Sequence, residues 1–127
     1  MKLSNSYIGL PEEFYQQINP TPVKNPSLLI FNDELANSLN IELTEDEKLN
    51  FFSGNKIPND SIPVALNYSG HQFGNFVHQL GDGRAILLGE VINKNETYDI
   101  QLKGSGQTKF SRQGDGRSAL GPVLREY

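Results

Sequence analysis

The stretch GDGRAILLGEVINKNETYDIQLKGSG, residues 81–106, decides what kind of fold this chain can make. Residues 84–93, RAILLGEVIN, form a nearly continuous apolar run of strand length. NKNET (93–97) has turn composition. TYDIQLKG (97–104) then alternates, with Tyr98, Ile100 and Leu102 on one face and Asp99, Gln101 and Lys103 on the other, as a half-buried strand should. Upstream, FVHQL (76–80) meets Gly81-Asp82-Gly83, which suits a tight turn between antiparallel strands with Asp82-Gly83 taking the positive φ. The expectation is an α+β fold built on a three-stranded antiparallel meander.

Working outward, residues 1–27 read as an irregular arm. Pro20, Pro22 and Pro26 hold their neighbours extended, and one helical turn is expected at Glu12–Gln17. LLIF (28–31) is a strand-like run, followed by Asn32 or Asp33 as a helix N-cap. A second short helix opens with Thr44 and Glu47 in capping-box positions and closes at Gly54. Beyond the lysine strand comes a long polar connection, GSGQTKFSRQGDGRS (104–118), and Pro122 in the first turn of a last helix. From Pro122 to Tyr127 that helix has far fewer than the roughly 12–15 residues of even a marginal isolated helix, so its continuation past Tyr127 is expected.

The totals narrow the function. A chain of 127 residues carrying a net charge of −4 has no general affinity for nucleic acid or anionic membrane. Residues 1–63 hold 4 basic and 9 acidic side chains; residues 64–127 hold 7 and 6, together with 10 of the 12 glycines. Chemistry is therefore expected in the second half. With no cysteine, neither a disulfide framework nor a thiolate site is available. MKLSNSYIGL has no signal-peptide apolar core, so a cytoplasmic location is expected.

The tetrad GDGR occurs twice, at Gly81–Arg84 and Gly114–Arg117. Each could be an ordinary turn or a loop whose free N–H groups and arginine cradle an anion. Lys103 precedes the bare Gly104-Ser105-Gly106 and could reach phosphate oxygens or simply be solvated; Glu126 on the last helix is its natural partner. His71 and His78 lack a third metal ligand at suitable spacing and read as structural. Phe73, Phe76 and Phe110 read as core packing, because no basic stripe accompanies them.

Strand, glycine-rich turn, strand, lysine strand and glutamate helix follow one another as in the first half of a protein-kinase small lobe. More specifically, YSGHQFGNFVHQLGDGRAILLGEV (68–91) and DIQLKGSGQTKFSRQGDGRSALGPVLREY (99–127) closely resemble the selenoprotein O family, pseudokinase-like enzymes that transfer AMP to proteins. His78 and Lys109 depart from it, standing where proline is expected. The resemblance implies an arm with short helices over residues 1–61 and part of a kinase-like small lobe over 62–127. It implies ATP contacts from Gly81, Gly83, Arg84, Asp115 and Gly116, phosphate held by Lys103, and Glu126 paired with Lys103. AMP would pass from ATP to Ser, Thr or Tyr hydroxyls of protein substrates. The family's catalytic aspartate and its ligands for Mg2+ or Mn2+ would lie in a C-terminal remainder, leaving this chain inactive alone and weak at best for ATP. The alternatives are a protein kinase or UMP transferase using the same lobe, or a non-catalytic nucleotide-binding or interaction module.

Overall fold

A computed structural model describes the backbone of residues 1–126 and the side chains of residues 1–125. Its centre is a four-stranded antiparallel sheet assembled from β1 (Tyr15–Gln17), β2 (Val64–Leu66), β5 (Ala85–Asn93) and β6 (Glu96–Lys103), in the order β1-β2-β5-β6. A separate hairpin pairs β3 (Gly70–Gln72) with β4 (Asn75–Val77). Helices α1 (Asp33–Ser38) and α2 (Glu45–Phe52) precede the main strands, and α3 (Leu120–Glu126) follows them.

β5 is apolar over Ala85–Leu88 because it lies between β2 and β6 and is covered on both faces: Ile86, Leu87 and Leu88 are wholly buried. Burial of such side chains contributes about 1.5–3 kcal/mol each. Lys94 and Asn95, both at positive φ, close the tight turn into β6. On one side of the sheet Leu88, Val91 and Leu102 meet Leu3, Ala36, Leu39 and Ile41. The core thus joins the two ends of the chain, and Ser4 extends the contact by bridging to Glu90. As the sequence indicates, Asn32 caps α1 and Thr44 with Glu47 forms a complete capping box on α2.

Four expectations change. The turn at Glu12–Gln17 is a short 3-10 helix only to Phe14; Tyr15–Gln17 is strand β1, because the open edge of β2 pairs with it in register Tyr15↔Leu66. Residues 28–31 form no strand: they meet the rest of the chain through side chains, Leu28, Ile30 and Phe31 lining an apolar pocket with Ile100 of β6, and Leu29 and Ile30 are more than half exposed. The meander's first strand is β2 and not residues 76–80: Phe73 and Gly74, both at positive φ, turn β4 back onto β3 instead. Phe73 and Phe76 are accordingly exposed on the hairpin, the former to 95%, and of the three phenylalanines only Phe110 packs inside.

Candidate functional site

The first tetrad ends the connection between β2 and β5, and its shape comes from three directions. Gly81 takes φ +62°, and a Cβ on it would fall 2.5 Å from the Phe110 ring. It is Gly81, not Asp82-Gly83, that occupies the left-handed region. Asp82 is buried: its Oδ2 accepts from the Leu66 N–H at 3.0 Å and its Oδ1 from the Tyr68 hydroxyl at 3.0 Å. Burial pushes the Asp82 carboxyl above its ordinary range against the opposing pull of those two bonds. The Tyr68 phenol is pushed up to about 12, by burial first and then by the neighbouring Asp82 charge. Asp82 is a structural anchor pointing away from solvent.

The N–H groups of Gly81, Asp82 and Gly83 donate to the carbonyls of Tyr68, Leu66 and Gly81. The expectation of free loop N–H groups is therefore corrected here. What this tetrad offers an anion is the exposed guanidinium of Arg84.

Residues 104–118 have no regular structure and are held by side chains. The Thr108 hydroxyl donates to the Asp82 carbonyl at 2.6 Å and the Ser111 hydroxyl to the Gly83 carbonyl at 2.5 Å. Two hydroxyls thus clasp the first tetrad from behind. The second tetrad is fixed by Gly116, at φ +71°, where any Cβ would overlap the Gly106 carbonyl. Asp115 Oδ1 accepts from the Arg117 backbone N–H at 2.8 Å, so its carboxylate shapes the loop. The Arg117 guanidinium donates to the carbonyls of Gly104 (3.3 Å) and Thr21 (3.2 Å), stitching the N-terminal arm to the loop.

These arrangements bring both tetrads to one cleft of about 360 Å³. Gly81, Gly83, Arg84, Asp115 and Gly116 all line it, as do Arg112 and Arg117. Lys103 does not. It ends β6 opposite Ala85 and lines an adjoining recess with Tyr68 and Gln101, to which Gly81, Gly83 and Arg84 also contribute. Arg84 borders both spaces. The side chain of Glu126 lies outside the described residues, as does Tyr127. His71 and His78 are exposed and set their rings edge-on to Phe76.

Sequence reasoning assigned no role to Tyr68, Gln72, Thr108 or Ser111. Nothing in their local pattern marks them, because each acts on residues 14 to 40 positions away.

The sequence profile described as "Protein adenylyltransferase SelO" matches residues 1–127. The chain belongs to this family. Over its whole length it is 58% identical to the protein nucleotidyltransferase YdiU of Maridesulfovibrio salexigens and 60% identical to that of Agrobacterium fabrum. It covers 26% and 27% of those proteins, so it spans about a quarter of the length of the curated relatives it matches. Both relatives are named as protein nucleotidyltransferases. Among the described residues no helix is long and apolar enough to cross a membrane.

Proposed function

We propose that this chain supplies the nucleotide-holding part of an enzyme that transfers AMP from ATP to Ser, Thr or Tyr hydroxyls of proteins. The observation that carries this is the charge of the cleft. In a chain of net charge −4, the surface shared by the two tetrads presents three arginines against one carboxylate, that of Asp115. Such a surface suits a polyphosphate. The order β2, glycine-bearing connection, β5, lysine-bearing β6, α3 also supports a kinase-like small lobe.

In the reaction a protein hydroxyl oxygen attacks the α-phosphorus and releases its proton to solvent, the bond from that phosphorus to the bridging oxygen breaks, and pyrophosphate leaves with the electron pair. Negative charge grows on the departing oxygens. Arg84, between cleft and recess, and Lys103, in the recess, would neutralise it; fixed cations need no reorganisation as the charge develops. The buttressed glycines keep the backbone close to the nucleotide. Among the described residues no three His, Asp or Glu side chains come together as a metal set. The divalent cation that the resemblance implies would take its ligands from the C-terminal remainder.

The test is isotopic, performed on the full-length protein that carries this chain. Label from the α-position of ATP is expected to enter protein, and label from the γ-position is not. Incorporation from the γ-position alone would make it a kinase, and preference for α-labelled UTP would make it a uridylyl transferase. Binding without either incorporation would leave a nucleotide-binding module.

A further inference from the structure

Three arginines line the cleft, and they are held differently. Arg117 is half-buried and tied to two main-chain carbonyls, as a structural arginine is. Arg84 belongs to the first tetrad. Arg112 belongs to neither tetrad. It is exposed, and its Nη1 donates to a single neutral acceptor, the Gln72 Oε1, at 3.2 Å. Among the described residues it forms no ion pair. Its charge therefore stands uncompensated at the cleft, with most of the five donors of a guanidinium available.

Its backbone points the same way. Arg112 has φ +55° and follows Ser111 in a turn closed by the Gly114 N–H on the Ser111 carbonyl at 2.9 Å. That conformation favours glycine, and this chain uses glycine freely nearby, at 104, 106, 114 and 116. Of the six non-glycine residues at positive φ among the described residues, Arg112 alone lines the cleft, which directs attention to its side chain.

We propose that Arg112 is a further binding residue of the cleft, contacting phosphate oxygens of the nucleotide from the 104–118 side, with Gln72 as its positioning residue. The inference rests on the nucleotide reading above. A planar guanidinium can give a paired contact to phosphate while a remaining N–H keeps Gln72.

The experiment uses the full-length protein with Arg112→Gln, Arg112→Lys, Arg112→Gly and Gln72→Ala. ATP, inorganic tripolyphosphate and adenosine serve as probes in calorimetry, alongside KM for ATP and thermal unfolding. Loss of one charge-assisted phosphate contact should weaken ATP and tripolyphosphate alike, by roughly 10- to 100-fold in Arg112→Gln, and leave adenosine unchanged. Arg112→Lys should recover part of the loss, and Gln72→Ala should cost less than Arg112→Gln. Arg112→Gly should lose binding yet unfold at a higher temperature, as strain relief requires. A merely structural arginine would give lower stability in that variant. Unchanged ATP affinity in Arg112→Gln, with the unsubstituted protein binding normally, overturns the assignment and spares the nucleotide reading. If the unsubstituted protein binds neither ATP nor tripolyphosphate, that reading fails and this inference falls with it.

Discussion

At Gly81 two independent constraints coincide: a left-handed φ of +62° and the Phe110 ring 2.5 Å from where a Cβ would stand. Gly83 lies outside the left-handed region, and its Cβ would come no nearer than 3.0 Å to any atom, the Phe110 carbonyl oxygen, with Ser111 Cα at 3.4 Å. Gly81→Ala should therefore destabilise the protein by about 2–4 kcal/mol, combining left-handed strain with overpacking. Gly83→Ala should cost about 1 kcal/mol or less. Equal shifts of the two denaturant midpoints would show that neither the left-handed φ nor the Phe110 ring sets Gly81 apart. The intervening Asp82 gives a pH dependence. Its folded carboxyl titrates above the unfolded value of 3.8 because burial penalises the charged form. The native state thus binds this proton more tightly, and Asp82 costs stability as pH rises from the unfolded value through the folded one. Unfolding of the unsubstituted protein and of Asp82→Asn, followed from about pH 3.5 to 7, should show the former losing stability relative to the latter on the acid side, then running parallel. A relative gain over that window would mean that the Leu66 and Tyr68 hydrogen bonds outweigh desolvation.

Elements differed in how far their sequence announced them. Helix α2 was readable because a capping box is a local signal, complete within Thr44–Glu47. The β5–β6 hairpin was readable because both periodicity and turn composition agree across Lys94-Asn95. The β3–β4 hairpin was not: its turn is Phe73-Gly74, and phenylalanine at φ +52° lies outside ordinary turn chemistry. Strand β1 was missed for another reason, since its three residues become a strand only against β2, 49 positions later in sequence. The site divides the same way. Its glycines and arginines stand out as a repeated tetrad, and of the residues that the family resemblance singled out, Gly81, Gly83, Arg84, Asp115 and Gly116 line one cleft. The clasp from Thr108 and Ser111 onto two carbonyls has no sequence period, and neither has the separation of Lys103 into the adjoining recess. Such features belong to tertiary placement, which local pattern does not encode.

Across the whole molecule, the first half closes the sheet and the core that the second half begins. β1 from residues 15–17 pairs with β2, Ser4 bridges to Glu90, and Arg117 holds the Thr21 carbonyl. The core places Leu39 beside Leu88 in one cluster. Elements that share a core lose it together, so the described residues should unfold in a single transition followed equally by far-ultraviolet signal and tyrosine fluorescence. Leu39→Ala and Leu88→Ala test this from opposite sides of the chain. Each should lower that one transition by about 2–5 kcal/mol, with Leu88, wholly buried, at the upper end. Were Leu39→Ala to uncouple an early transition while the second half kept its midpoint, residues 1–61 would be an independent unit. The cleft would then depend on the first half through the local ties of the 104–118 loop, Arg117 and Ser105 to Thr21 and Lys109 to Gln16, and Leu39→Ala would leave ATP affinity unchanged. With one transition, both core substitutions should instead reduce the fraction of protein able to bind ATP as temperature approaches the midpoint, since β5, which Arg84 precedes, and β6, which carries Lys103, melt with the helices.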